Sequence, residues 1–221
     1  MWRSSFFWLV LILVLVGCGD EDERDPRQLF AEGEHHALEA TRLFEEGNDT
    51  LGAEENAKAI ESYRKLIAID PSHPVAESAL AHAFLLAEDY NQAIIWYGKA
   101  IARDSGVALH HTELGIAQIN TGRFDEGRRS LGRALALDSS DAHREFITRE
   151  LARIGLVANR YGEGYAEAGH IDQALEYRRF SLEVLKTAYG IGRNSALAAS
   201  IADLAESIGD TATAEAYRQG E

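Results

Sequence analysis

The sequence predicts an all-α protein, a stack of paired antiparallel helices of the α-solenoid kind, on three observations. Only three prolines occur in 221 residues while Ala, Leu and Glu are abundant, a composition that favours helix over turn-rich sheet. Sliding the chain against itself by 34 residues sets Leu80 over Leu114, Ala81 over Gly115, Tyr90 over Phe124, Ala100 over Ala134 and Asp104 over Asp138. Within each block, apolar and small residues recur three and four apart with one interruption, as two amphipathic helices joined by a turn require.

The two central blocks resemble tetratricopeptide repeats. Residues 74–107 match at Leu80, Ala81, Phe84, Tyr90, Ala93, Tyr97 and Ala100, and residues 108–141 at Leu114, Gly115, Gly122, Phe124 and Ala134. Small residues at Ala81 and Gly115 let paired helices approach, and Tyr97 and Leu131 fill the space between them. Glu88 stands where the repeat usually has a turn glycine, Gly127 stands for the usual alanine, and the common tryptophan is absent. A preceding repeat, about residues 28–73, is marked by Ala59, Tyr63, Leu66 and Pro71, with seven extra residues that lengthen its helices by almost two turns. A fourth, about 142–188, is marked by Tyr161, Gly162, Tyr165, Gly169, Ile171 and Ala174. Its first helix reaches back to Ala142 unless Gly155 breaks it. A fifth, about 194–219, resembles the variant found in kinesin light chains, with Gly209, Ala214 and Tyr217 in place. The resemblance implies a right-handed solenoid of four to five repeats over residues 28–221.

It also implies where a partner binds. The first helix of each repeat lines the concave surface, which here places Val75, Ser78, His82, Leu85 and Leu86, then Leu109, Thr112, Ile116, Ile119 and Asn120, in a partner-binding groove. The family's carboxylate clamp needs basic and amide groups at several of these positions, and they are not there. An apolar or amphipathic helix suits the groove better than an acidic chain terminus.

The beginning of the chain reads as an address. Arg3 supplies a positive start, and Phe6 to Val16 is an unbroken apolar run of signal-peptide size, too short to span a bilayer. It stops at Leu15-Val16-Gly17-Cys18, which resembles the lipobox of bacterial lipoprotein precursors. That resemblance makes residues 1–17 a lipoprotein signal peptide and Cys18 the acylated first residue of the mature protein. Each buried methylene of such an anchor contributes about 0.8 kcal/mol, so several chains hold the protein on a membrane. Residues 18–27 follow as an acidic tether, with Asp20, Glu21, Asp22, Glu23 and Asp25 against Arg24. Gly19 stands where inner-membrane lipoproteins of diderm bacteria tend to carry Asp. The expected location is therefore the bacterial envelope, at the outer membrane facing the periplasm.

Composition narrows the remaining functions. With 22 Lys and Arg against 36 Asp and Glu, the net charge of −14 repels phosphate backbones, and nucleic acid is not an expected partner. A single cysteine allows no internal disulfide and no thiolate metal site. The adjacent pairs His35-His36 and His110-His111 point about 100° apart on a helix and do not chelate by themselves, so no metal is expected. Gly190-Ile191-Gly192-Arg193-Asn194-Ser195 follows no strand and reads as a loop between helices, not a phosphate cradle. No nucleophile motif is present, and neither enzyme activity nor a cofactor is expected. The functional expectation is an interaction scaffold that helps assemble or stabilise an envelope complex for secretion, pili or outer-membrane assembly. The alternative, an enzyme or enzyme regulator acting on peptidoglycan or an exported polymer, calls for a pocket of convergent ionisable groups.

Overall fold

The structure, a computed structural model, describes residues 25–220. Cys18, the signal peptide and most of the acidic tether lie outside the described residues. Ten helices follow one another among the described residues and pack as five hairpins. They are α1 (Pro26–Glu45) with α2 (Asp49–Ile69), α3 (Ala76–Leu86) with α4 (Tyr90–Arg103), α5 (Ala108–Asn120) with α6 (Phe124–Leu137), α7 (Asp141–Glu167) with α8 (Ile171–Ile191), and α9 (Ser195–Ser207) with α10 (Thr211–Gln219). No strand occurs among the described residues. The fold class is thus the one the periodicity predicts, a solenoid of tetratricopeptide-like hairpins in which each pair packs chiefly on its neighbours.

Capping chemistry sets where the chain turns. Pro26 occupies the first turn of α1, where its missing N–H is no loss, and the Asp25 carboxylate accepts from the Arg27 amide at 3.0 Å. The helix thus takes in the last two residues of the segment read as tether. Each hairpin then reverses at one left-handed residue: Gly47, Glu88, Gly122, Gly169 and Gly209, with φ of 78°, 56°, 76°, 81° and 82°. The next amide in each turn reaches back to the preceding helix, as from Asn48 to the Leu43 carbonyl at 2.8 Å and from Arg123 to Gln118 at 2.9 Å, which is the Schellman arrangement. Between the first four hairpins a second device repeats at 34-residue intervals. Asp70, Asp104 and Asp138 close α2, α4 and α6, and each carboxylate accepts the amide two residues on, at 3.0, 2.8 and 3.0 Å.

Glu88 is the one turn residue of the five that pays a side-chain penalty for positive φ. Glu88→Gly should therefore stabilise the fold by about 1 kcal/mol, read as a higher midpoint in urea with an unchanged slope.

The core is laid down in pieces. Tyr63, Leu80, Phe84 and Tyr97 anchor one cluster over α2 to α4, and Ala117 of α5 joins it. Leu29, Leu66 and Ala76 form a small cluster beside it. Ile119, Leu131, Leu151, Leu185 and Ile201 belong to a larger one running from α5 to α10. Gly155 does not break α7, which runs unbroken for 27 residues. Instead the glycine lets α8 come close: a Cβ there would lie 2.7 Å from a Leu185 methyl, and Ser181 Oγ donates to the Gly155 carbonyl at 2.6 Å.

The hairpins differ in length. The helices of the second and third have 11 to 14 residues, whereas α7 has 27 and α8 has 21. Phe124, the first residue of α6, packs on Phe180, with 5.7 Å between ring centres. The nine residues of α8 before Phe180 thus project about 13 Å past the start of α6, at roughly 1.5 Å each. The end of α7 accompanies them.

Candidate functional site

The face expected to bind a partner is carried by α3 and α5. Val75 precedes α3 and is 42% exposed, and Leu109 in the first turn of α5 is 49% exposed. Ser78, His82, Leu85, Leu86 and Asn120 are half-buried. Thr112 and Ile119 are fully buried and Ile116 nearly so. Two contacts account for this. The start of α7 sits on α5, with Thr112 Oγ1 and His143 Nε2 3.0 Å apart, and Ile119 enters the core shared with α6, α7 and α8. The exposed part of the face therefore lies at Val75, Leu109 and the half-buried residues between the two helices' ends.

Behind this face lies a polar centre that hydropathy patterning does not reveal. Glu113 is buried, although it is the one Asp, Glu, Lys or Arg in α5. Its Oε1 is 2.9 Å from His82 Nδ1 of α3, and its Oε2 accepts the Tyr97 hydroxyl of α4 at 2.5 Å. One carboxylate thus ties three helices of two successive hairpins together. Burial first, and then the neighbouring Glu113 charge, push the Tyr97 hydroxyl well above the usual tyrosine range, so it stays a phenol and donates. The lone Asp, Glu, Lys or Arg of its helix was the available signal for Glu113.

The same carboxylate acts on His82. Its hydrogen bond raises the His82 pKa above 6.5 and outweighs the opposing effect of burial. His110, whose ring centre lies 6.2 Å from that of Tyr97, is pushed below 6.5 chiefly by burial. The signs are opposite. The His82 ion pair stabilises the fold fully below 6.5 and is lost as pH rises through the folded-state value, while His110 disfavours the fold as pH falls below 6.5. Titration followed by NMR should place the two rings on opposite sides of 6.5. His82→Gln should remove the decline of stability on the alkaline side; a decline of unchanged size in that variant would assign it elsewhere.

Among the described residues, no three His, Cys, Asp or Glu side chains are grouped so as to hold a metal ion, and no helix is long and apolar enough to cross a membrane.

No family model matches the chain. It is similar to "Small glutamine-rich tetratricopeptide repeat-containing protein 2" of Mycosarcoma maydis, at 29% identity over 121 residues, which cover 55% of this chain. The match spans about a third of that relative's length, 32%. Among solved structures, a crystal structure of MamA is 19% identical, covers 81% of this chain and 90% of its own, and superposes with a TM-score of 0.45. MamA 41-end from Desulfovibrio magneticus RS-1 is 13% identical, with coverages of 86% and 92% and a TM-score of 0.47. The structure described as a functional characterization of Pseudomonas aeruginosa pilF is 22% identical, with coverages of 87% and 91% and a TM-score of 0.40.

Proposed function

We propose that this protein is a non-catalytic, lipid-anchored interaction scaffold of the bacterial envelope. Cys18 fixes it to a membrane, and the face carried by α3 and α5 receives an apolar or amphipathic helix of a protein partner. The observation that supports the docking face most directly is its exposed apolar surface, Val75 and Leu109, flanked by half-buried Leu85 and Leu86. Hydrophobic anchors on neighbouring helices suit a helix laid across them at three- and four-residue spacing. Glu113 holds the two hairpins in register, which keeps the face preorganised for binding. Anchoring rests on Leu15-Val16-Gly17-Cys18 and the apolar run before it, and Gly19 favours the outer membrane. The partner belongs to an assembly such as a secretion, pilus or outer-membrane machine.

Two measurements test this reading separately. Mass spectrometry of the protein purified from membranes should find a mature chain beginning at an acylated Cys18, and Cys18→Ser should release the protein from the membrane fraction. A mature chain that begins elsewhere contradicts the anchor. A photo-crosslinker at Leu109 should capture a partner that is lost from the Val75→Glu, Leu85→Glu double variant while helicity is kept. Equal capture by that variant would move the binding site off this face.

A further inference from the structure

The third and fourth hairpins border a cleft that the docking face does not use. It lies between α6 and α8 and measures about 500 Å³. Phe124 packs on Phe180 where the two helices first run side by side, and Tyr217 of α10, edge-on to Tyr189 at 5.1 Å, stands at the far end. Arg128 reaches across and donates to the Thr187 hydroxyl at 3.3 Å. The slot is therefore one side chain wide, too narrow for a helix roughly 10 Å across.

The cleft changes character along its length. Arg128, Glu183 and Lys186 border the end near Phe124, whereas Leu131, Leu135, Ile191 and Tyr217 make the rest apolar. Leu135 lies two turns beyond Arg128, about 10 Å along α6. Gly132 of α6 and Gly190 of α8 border the apolar part, and a Cβ at either would meet nothing within 4 Å. Gly115, Gly127 and Gly155 are tied to close helix contacts, but no contact explains these two. The side chains they lack leave the cleft open, at a cost in helix propensity.

At the polar end two cations share one carboxylate. Lys186 Nζ lies 2.9 Å from Glu183, and Arg128 Nη1 lies 3.8 Å from it. Arg128 also pairs with Asp125, but that side chain is 81% exposed and outside the cleft, and such a surface pair contributes little. In a chain of net charge −14, an added carboxylate here meets a net positive lining. We infer that the cleft binds a single-chain amphiphile with a carboxylate head, a fatty acid. The head sits at Arg128 and Lys186, and the chain runs over Leu131 and Leu135 to Tyr217. Removing the chain from water supplies the affinity, while the two cations fix its direction. Glu183 then competes with the head for both cations.

The test uses the full chain in lipid nanodiscs, labelled with a laurate that carries a photoreactive group at its chain end. Crosslinks mapped by mass spectrometry should fall at Ile191 and Tyr217. Plain laurate should displace the label, and dodecyltrimethylammonium, with the same chain and the opposite charge, should not. Three variants fix the arrangement. Lys186→Gln should weaken labelling by about tenfold in affinity, and Glu183→Gln should strengthen it, which a merely damaged fold would not do. Gly132→Leu should abolish labelling while the urea midpoint stays level or rises, because the new side chain fills open space and favours the helix. Labelling spread evenly over the body overturns the proposal, as does labelling that survives Gly132→Leu, equal displacement by the cationic amphiphile, or weaker labelling of Glu183→Gln.

Discussion

Tyr97→Ala should destabilise the protein by about 3 to 5 kcal/mol, through lost burial, a residual cavity and a stranded carboxylate. Tyr97 is fully buried between α3 and α5, and its hydroxyl satisfies one of the two oxygens of buried Glu113. For a chain of this length the loss should lower Tm by about 6 to 20 °C. Tyr97→Phe separates the contributions, since it keeps the ring and removes the donor. It should cost about 1 to 3 kcal/mol, the penalty for a buried acceptor left without a partner. Glu113→Gln in the Phe background should recover part of that, because a neutral amide is less costly to bury than a charge. Melts of Tyr97→Ala that overlay on wild type would show that Tyr97 and Glu113 do not hold the second and third hairpins together.

Gly115→Val is the second large effect, about 2 to 3 kcal/mol from overpacking. A Cβ at Gly115 would stand 2.8 Å from Leu131 Cγ and 3.1 Å from the Gly127 carbonyl, and one at Gly127 would in turn meet the Gly115 carbonyl at 3.0 Å. Backbone faces backbone on both sides, so neither helix can yield by turning a side chain. Gly98→Ala is the matching control. It lies on the exposed side of α4, where an added methyl would meet nothing within 4 Å, and should stabilise by roughly 0.5 to 1 kcal/mol through helix propensity alone. Chemical denaturation of the two variants should therefore move their midpoints in opposite directions. A Gly115→Val midpoint at or above that of wild type would show that α5 and α6 can separate freely.

The 34-residue repeat was legible because its marks are local. A left-handed turn residue, an aspartate closing the second helix and small residues where helices touch each leave a trace at a fixed position, and Gly122, Asp104 and Gly115 are examples. What lay beyond reading was how one hairpin sits on the next. The spacing of Tyr161, Gly162 and Tyr165 suggests a fourth repeat, yet those residues stand on the projecting arm, and the stack is joined instead by the earlier part of α7, at His143, Ile147 and Leu151. For the same reason, equivalent positions in the proposed groove differ in exposure. His82 is half-buried and Ile116 almost wholly buried, because the start of α7 rests on α5. Periodicity defines the faces of a helix, but the offset between successive hairpins depends on side-chain contacts between distant residues. Glu113 escaped notice because a carboxylate is ordinarily a surface group, and its two partners lie 31 and 16 residues away.

The division of the core within α5 bears on how the chain folds and opens. Ala117 belongs to the cluster on its N-terminal side and Ile119 to the cluster on its C-terminal side, so one helix is the common wall of two otherwise separate interiors. Contacts among near neighbours in sequence keep loop-closure costs low, which favours rapid folding that starts at either end and spreads hairpin by hairpin. The two halves share their cooperativity chiefly through α5, with His82 and Tyr97 gripping Glu113 from one side and His143 touching Thr112 from the other. Loosening that helix would uncouple the halves without unfolding either. Amide exchange in α5 would then report the communication between them, and exchange in α3 or α9 the integrity of each half.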